Sequence, residues 1–142
     1  LERFIKDDTF MVTYGDGLSD LNFDNLLDFH KAHGKIATIT AVHPTARFGE
    51  MILDEDRVLN FKEKPQMNNG WINGGFFIFN KEIFSYLDND QCVLEGAPLE
   101  NLVNDGQLMA FKHEGFWQCM DTKRDRDTLE EMWKRGDAAW QV

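Results

Sequence analysis

Cysteine is nearly missing from this 142-residue sequence: Cys92 and Cys119 stand far apart, without CxxC spacing. That excludes a disulfide framework and speaks against structural zinc, so both are read as small buried hydrophobes. Long hydrophobic runs are missing too. No apolar stretch approaches the ~20 residues needed to cross a bilayer, and no basic-then-apolar leader opens the chain, so a soluble, cytoplasmic protein is expected. Positive charge is scarce, with 15 Lys and Arg against 25 Asp and Glu and a formal net charge of -10. Such a surface repels polyanions and removes the attraction behind most nucleic-acid affinity, which argues against DNA, RNA and anionic membranes as partners. A small phosphorylated ligand stays compatible if a divalent cation carries the charge between it and the protein. The sequence also lacks a GxSxG elbow, HExxH, a Cys-His constellation, a Walker A loop and GxGxxG.

What is present is a globular composition, 42% hydrophobic, 13% aromatic and 28% charged. At this length one domain, or part of a larger one, buries roughly 70% of its unfolded surface. Residues 9–14 (TFMVTY) read as an interior strand ending at Gly15-Asp16-Gly17. Asn22 is placed to cap a helix carrying Phe23, Leu26, Leu27 and His30 on one face, with Gly34 as its left-handed stop. Residues 36–42 (IATITAV) follow as a second buried strand, completing a unit with the length and order of a βαβ crossover. Strands over 51–53, 58–61 and 71–79 then point to an antiparallel addition to a parallel sheet. Short helices are predicted over 81–87 and 98–103, closing strands over 108–112 and 116–120, and a final helix over 122–135. The chain begins at Leu1, and residues 1–6 read as the tail of a helix already under way, so the C-terminal portion of a longer protein is expected.

Asp16 and Asp121 are the chemical candidates. Each follows a strand, where open α/β folds place their ligands, and two such carboxylates meeting at one sheet edge suit a hard cation. A tight turn at Asp16 and a helix N-cap at Asp121 explain the same letters. In Phe61-Lys62-Glu63-Lys64-Pro65, Lys64 suits a phosphate and Glu63 sugar hydroxyls, though a solvated strand end reads identically. Asn73-Gly74-Gly75 interrupts a bulky strand, so something needs room there, a ligand or a β-bulge. Of the histidines, His30 reads as a packed core residue and His33 as a charge favoured by a helix C-terminus. His43 and His113 have no partner at metal-ligand spacing.

In order and spacing, TYGDGLSDL, DFHKAHGK, RFGE, FKEKP, INGGFFIFN and GFWQCMDTKRD resemble the second half of the sugar-nucleotidyltransferases, over essentially the whole chain. The likeness is strongest to the branch using CTP and glucose 1-phosphate. The resemblance implies an α/β, partial Rossmann-like fold, a mixed sheet with helices on its faces, lacking the N-terminal half that cradles the triphosphate and selects the base. It implies transfer of a cytidylyl group from CTP to glucose 1-phosphate in a full-length parent, giving CDP-glucose and pyrophosphate, with this chain inactive alone. Carried over by position, Asp16 and Asp121 hold catalytic Mg²⁺, Glu63 contacts the sugar and Lys64 its phosphate. Gly15, Gly49, Asn73 and Gly74 match positions shaping the sugar pocket. A homo-oligomer is the expected assembly. A uridylyl or thymidylyl homologue, a non-catalytic sugar-phosphate binding or assembly module, and a hydrolase with Asp16 and Asp121 as acid and base remain alternatives.

Overall fold

A computed structural model describes residues 2–44, 50–55, 57–62 and 70–141. Its centre is a four-stranded mixed sheet built from β1 (Thr9–Thr13), β3 (Ala37–Val42), β6 (Ile72–Asn80) and β7 (Leu108–His113), in the order β1-β6-β3-β7. β6 runs antiparallel to both β1 and β3, and β3 runs parallel to β7. β1 and β3 therefore share a direction, as the predicted crossover requires, but β6 lies between them. The antiparallel strand is inserted inside the sheet rather than added to its margin.

Two expectations need correction. β1 forms one edge of the sheet among the described residues, not an interior strand, and Met11 is exposed. The 116–120 run does not close this sheet. Its strand β8 (Trp117–Cys119) pairs antiparallel with β2 (Gly17–Ser19), which sequence reading had treated as part of a turn, to make a separate two-stranded ribbon. β4 (Glu50–Asp54) and β5 (Arg57–Lys62) likewise form their own antiparallel hairpin. Residues 2–4 form a single 3₁₀ turn, Glu2–Phe4, where a helix tail was expected.

Helices cover both faces because β6 alternates. Phe77 and Phe79 pack with Ile83, Leu99 and Leu102 on one side, while Phe76 and Ile78 pack with Leu21 and Leu26 on the other. The first face takes the 3₁₀ segment Lys81–Tyr86 and α2 (Ala97–Asn104); the second takes α1 (Phe23–His33). Burying each large side chain contributes roughly 1.5–3 kcal/mol, so β6 anchors both layers. The predicted caps of α1 are present: Asn22 Oδ1 accepts from the Asn25 backbone N–H at 2.9 Å, and Gly34 adopts φ +63°. Among the described residues no helix is long and apolar enough to cross a membrane.

The C-terminal end of α1 is held by a closed polar circuit. The Lys35 N–H donates to His33 Nδ1 at 2.9 Å, and His33 Nε2 lies 2.7 Å from Thr38 Oγ1. Thr38 Oγ1 lies 2.8 Å from His30 Nδ1, and His30 Nε2 lies 3.0 Å from Asn80 Oδ1. Asn80 Nδ2 returns to the Lys35 carbonyl at 3.1 Å. With both imidazoles neutral, every donor finds an acceptor around the ring. His30 is the packed core histidine expected from sequence. His33 differs from its reading as a favoured positive charge: burial, with His30 and Lys35 nearby, holds its imidazole below the usual histidine range.

Candidate functional site

The segment after β1 carries Gly15 and Asp16 directly into β2. The Tyr14 N–H donates to the Gly75 carbonyl at 2.8 Å, so the β1·β6 ladder continues to the glycine pair of β6. Gly15 and Asp16 are exposed, and a side chain at Gly15 would meet nothing within 4 Å. β2 then pairs with β8 with Gly17 opposite Cys119, and the Met120 N–H donates to the Asp16 carbonyl at 2.9 Å. Asp121, the next residue, therefore lies at the same end of the ribbon as Asp16. Both carboxylates flank this ribbon, whereas the sequence reading had set them on one larger sheet.

The alternative explanation of Asp121 as a helix cap does not hold. Thr122 is the N-cap of α3 (Lys123–Arg135): its Oγ1 accepts from the Asp125 N–H at 3.2 Å, while Asp125 Oδ2 accepts from the Thr122 N–H at 2.9 Å. This capping box leaves the exposed Asp121 carboxylate facing Cys119, whose Sγ donates to Oδ2 at 3.4 Å. Burial first, then this carboxylate, pushes the Cys119 thiol upward, which makes it a poor nucleophile.

Asn73 and Gly74 lie on the same side of the molecule. Asn73 Oδ1 accepts from the Gly75 N–H at 2.8 Å, and its Nδ2 donates to Tyr14 Oη at 3.0 Å. Tyr14 Oη in turn donates to Glu95. Burial and then the Glu95 bond push the Tyr14 phenol up to about 12, so it is a fixed neutral donor at ordinary pH. The room that the glycine pair provides is used within the fold. A Cβ at Gly74 would sit 2.8 Å from Val42 Cγ1, and one at Gly75, where φ is +78°, would sit 2.7 Å from Tyr14 Cδ2. The β3·β6 register also shifts here, between Ile39 and Ala41. Gly74 is buried and its carbonyl accepts from Trp117 Nε1 at 2.8 Å, which ties the ribbon to β6.

The structure therefore gathers Gly15, Asp16, Asn73, Gly74 and Asp121 around the junction of sheet and ribbon. Gly49, Glu63 and Lys64 lie outside the described residues. Sequence reading missed Tyr14, Glu95 and Trp117, which brace this junction. It also missed the contacts of His113, whose Nε2 lies 2.9 Å from Asp20 Oδ1, 3.1 Å from Ser19 Oγ and 3.2 Å from the Phe116 carbonyl. Serine and aspartate share one ring nitrogen, and Ser19 Oγ donates to the Phe116 carbonyl at 2.8 Å, so this is a structural clasp and not a nucleophilic triad.

Asp16 and Asp121 thus put two exposed carboxylates at one end of the ribbon. The Nucleotidyl transferase family model matches residues 1–134. The chain belongs to the nucleotidyl transferase family. It is 48% identical over 141 residues to the glucose-1-phosphate cytidylyltransferases of Salmonella typhi and Salmonella typhimurium, covering 99% of this chain and 55% of each relative. In fold it is similar to the crystal structure of HddC from Yersinia pseudotuberculosis, with a TM-score of 0.68 at 22% identity, over 93% of this chain and 58% of that one. The mixed sheet with helices on its faces is thus shared with that solved structure, and the chain spans a little over half the length of the relatives it matches.

Proposed function

We propose that this chain forms the metal and sugar-phosphate side of a sugar-1-phosphate nucleotidyltransferase that moves a cytidylyl group from CTP to glucose 1-phosphate. The observation that carries the reading is 48% identity across 99% of the chain to relatives named for that activity. The junction of Asp16, Asn73 and Asp121 supports it. In the reaction a phosphate oxygen of the sugar phosphate attacks the α-phosphorus of CTP in line. The new P–O bond forms as the bond to the leaving pyrophosphate breaks, so catalysis is mainly positioning and charge stabilisation.

The donor set fits Mg²⁺, which takes one or two carboxylates and fills its remaining positions with water and substrate phosphate. Asp16 directly precedes β2 and Asp121 lies just past the end of β8, and both are exposed. Among the described residues no group of three or more His, Cys, Asp or Glu could hold a metal instead. When bound, Mg²⁺ would offset the phosphate charge against a chain of net charge -10. Asn73 would hydrogen-bond the sugar phosphate, Glu63 would accept from sugar hydroxyls and Lys64 would meet the phosphate as a point charge. Gly15 and Gly49 would let the chain approach the sugar closely. The cations that hold the pyrophosphate side would come from the additional length that the relatives carry, and the enzyme would work in the cytoplasm.

The test is pyrophosphate release from CTP, glucose 1-phosphate and Mg²⁺, measured for this chain joined to that additional length from a relative. Expected is turnover that falls at least 100-fold in Asp16→Asn and Asp121→Asn, with none from the 142 residues alone. Full activity of both variants would remove the metal assignment. Preference for UTP or dTTP over CTP would reassign the branch.

A further inference from the structure

We infer that Tyr14 and Glu95 are positioning residues that hold the Asn73 amide in the one orientation able to bind a sugar phosphate. The inference takes its ligand from the function proposed above; its geometry stands independently. An asparagine amide has two ends of similar shape, and its neighbours decide which faces a ligand. Here the Gly75 N–H claims Oδ1 at 2.8 Å, so the Nδ2 end must face Tyr14, 3.0 Å away. Tyr14 Oη then has to accept, and its single hydrogen must go to another group. That group is Glu95, an acceptor without a hydrogen of its own when ionised. Each bond dictates the direction of the next. At the end of the relay, these bonds among the described residues leave Asn73 one Nδ2 hydrogen and one Oδ1 lone pair for a ligand.

Two further observations separate this relay from ordinary surface bonding. It joins three segments distant in sequence, with separations of 59 and 81 residues, yet Glu95 is exposed, where such bonds contribute little to stability. The backbone is also shaped to admit Tyr14. Gly75 takes φ +78° in a place where any Cβ would strike the tyrosine ring. The ring is thus brought over β6 to reach Asn73, directly beside Gly15 and Asp16.

Calorimetric titration of glucose 1-phosphate, with Mg²⁺ present, into this chain joined to the additional length from a relative tests the inference. Tyr14→Phe and Glu95→Ala should each weaken binding about tenfold, the loss expected for one misdirected hydrogen bond. Glu95→Gln, which keeps an acceptor oxygen, should stay within about twofold of wild type. In an Asn73→Ala background, Tyr14→Phe should cost nothing further, whereas a tyrosine acting through general folding would cost the same in both backgrounds. Binding by wild type that is unchanged in Tyr14→Phe overturns the positioning role and leaves the proposed function standing. Equal losses from Tyr14→Phe with and without Asn73 overturn it as well. A joined protein, wild type in sequence, that takes up no glucose 1-phosphate removes the proposed function, and this inference with it.

Discussion

Gly75 and Gly34 share a left-handed backbone but sit in opposite surroundings, and the contrast separates strain from crowding. At Gly34, φ is +63° and a Cβ would meet nothing within 4 Å, so Gly34→Ala should cost only the backbone penalty, about 1–2 kcal/mol. At Gly75 the same penalty is joined by a clash with the Tyr14 ring, and Gly75→Ala should cost about 2–5 kcal/mol. Urea unfolding of the two variants measures the difference directly. His33 makes a prediction of another kind. Its folded-state pKa is lowered, so between that value and the unfolded value of about 6.5 the unfolded chain binds more protons. The stabilisation is therefore fully present above about pH 6.5 and is lost as pH falls toward the folded pKa. In His33→Gln the dependence of unfolding free energy on pH should flatten below pH 6.5; an unchanged slope would show that other groups carry it.

At the scale of elements, α3 depends on its ends. Leu129 is its only buried residue, and its ion pairs Lys123–Asp127 and Lys134–Glu130 are exposed and weak. The capping box at Thr122 and the left-handed Gly136 are therefore a large part of what holds the helix. Thr122→Ala should cost about 1 kcal/mol in thermal or urea unfolding and raise amide exchange first in the opening turn of α3. Because the cap stands beside Asp121, the same variant checks whether the carboxylate depends on helix order. Asn22 and Gly34 were legible in the sequence because capping is written in adjacent residues, but Thr122 was not, since Asp121 directly before it reads as the same cap. β2 was not legible. Gly17-Leu18-Ser19 has too few residues for a pattern, and its partner Trp117–Cys119 lies about a hundred positions away. The candidate carboxylates were found for a local reason, a strand followed by Asp. Tyr14 and Glu95 were not, since a turn glutamate 81 residues from a tyrosine carries no local mark.

The whole molecule shows why β1 was misjudged. Thr9–Thr13 is apolar enough for an interior strand, but whether a strand is interior depends on what lies beside it, which its own letters do not record. In the described residues β1 pairs with β6 alone. Met11, Val12 and Thr13 of β1 line a cleft of about 280 Å³ with Phe23, Leu26, Phe76 and Phe77. A strand edge with no partner among the described residues, next to apolar surface, is a template for association. Ile36–Val42, by contrast, has both neighbours in β6 and β7 and offers no such edge. The isolated chain should show concentration-dependent self-association in sedimentation velocity, and Met11→Lys should reduce it while leaving the circular dichroism spectrum unchanged. A wild-type chain that stays monomeric at 100 μM, an order-of-magnitude working concentration for such edges, would show that the edge is already protected.

The insertion of β6 between β1 and β3 also imposes an order in time. Thr9 pairs with Asn80, 71 residues further along, so a chain leaving the ribosome exposes β1 long before its partner exists. At roughly 5–20 residues per second that interval lasts several seconds, far longer than a helix needs to form. Whatever α1 and the β4–β5 hairpin do locally in the meantime, β1 cannot join this ladder until β6 has emerged, and its apolar residues stay open to a nascent-chain chaperone for that interval.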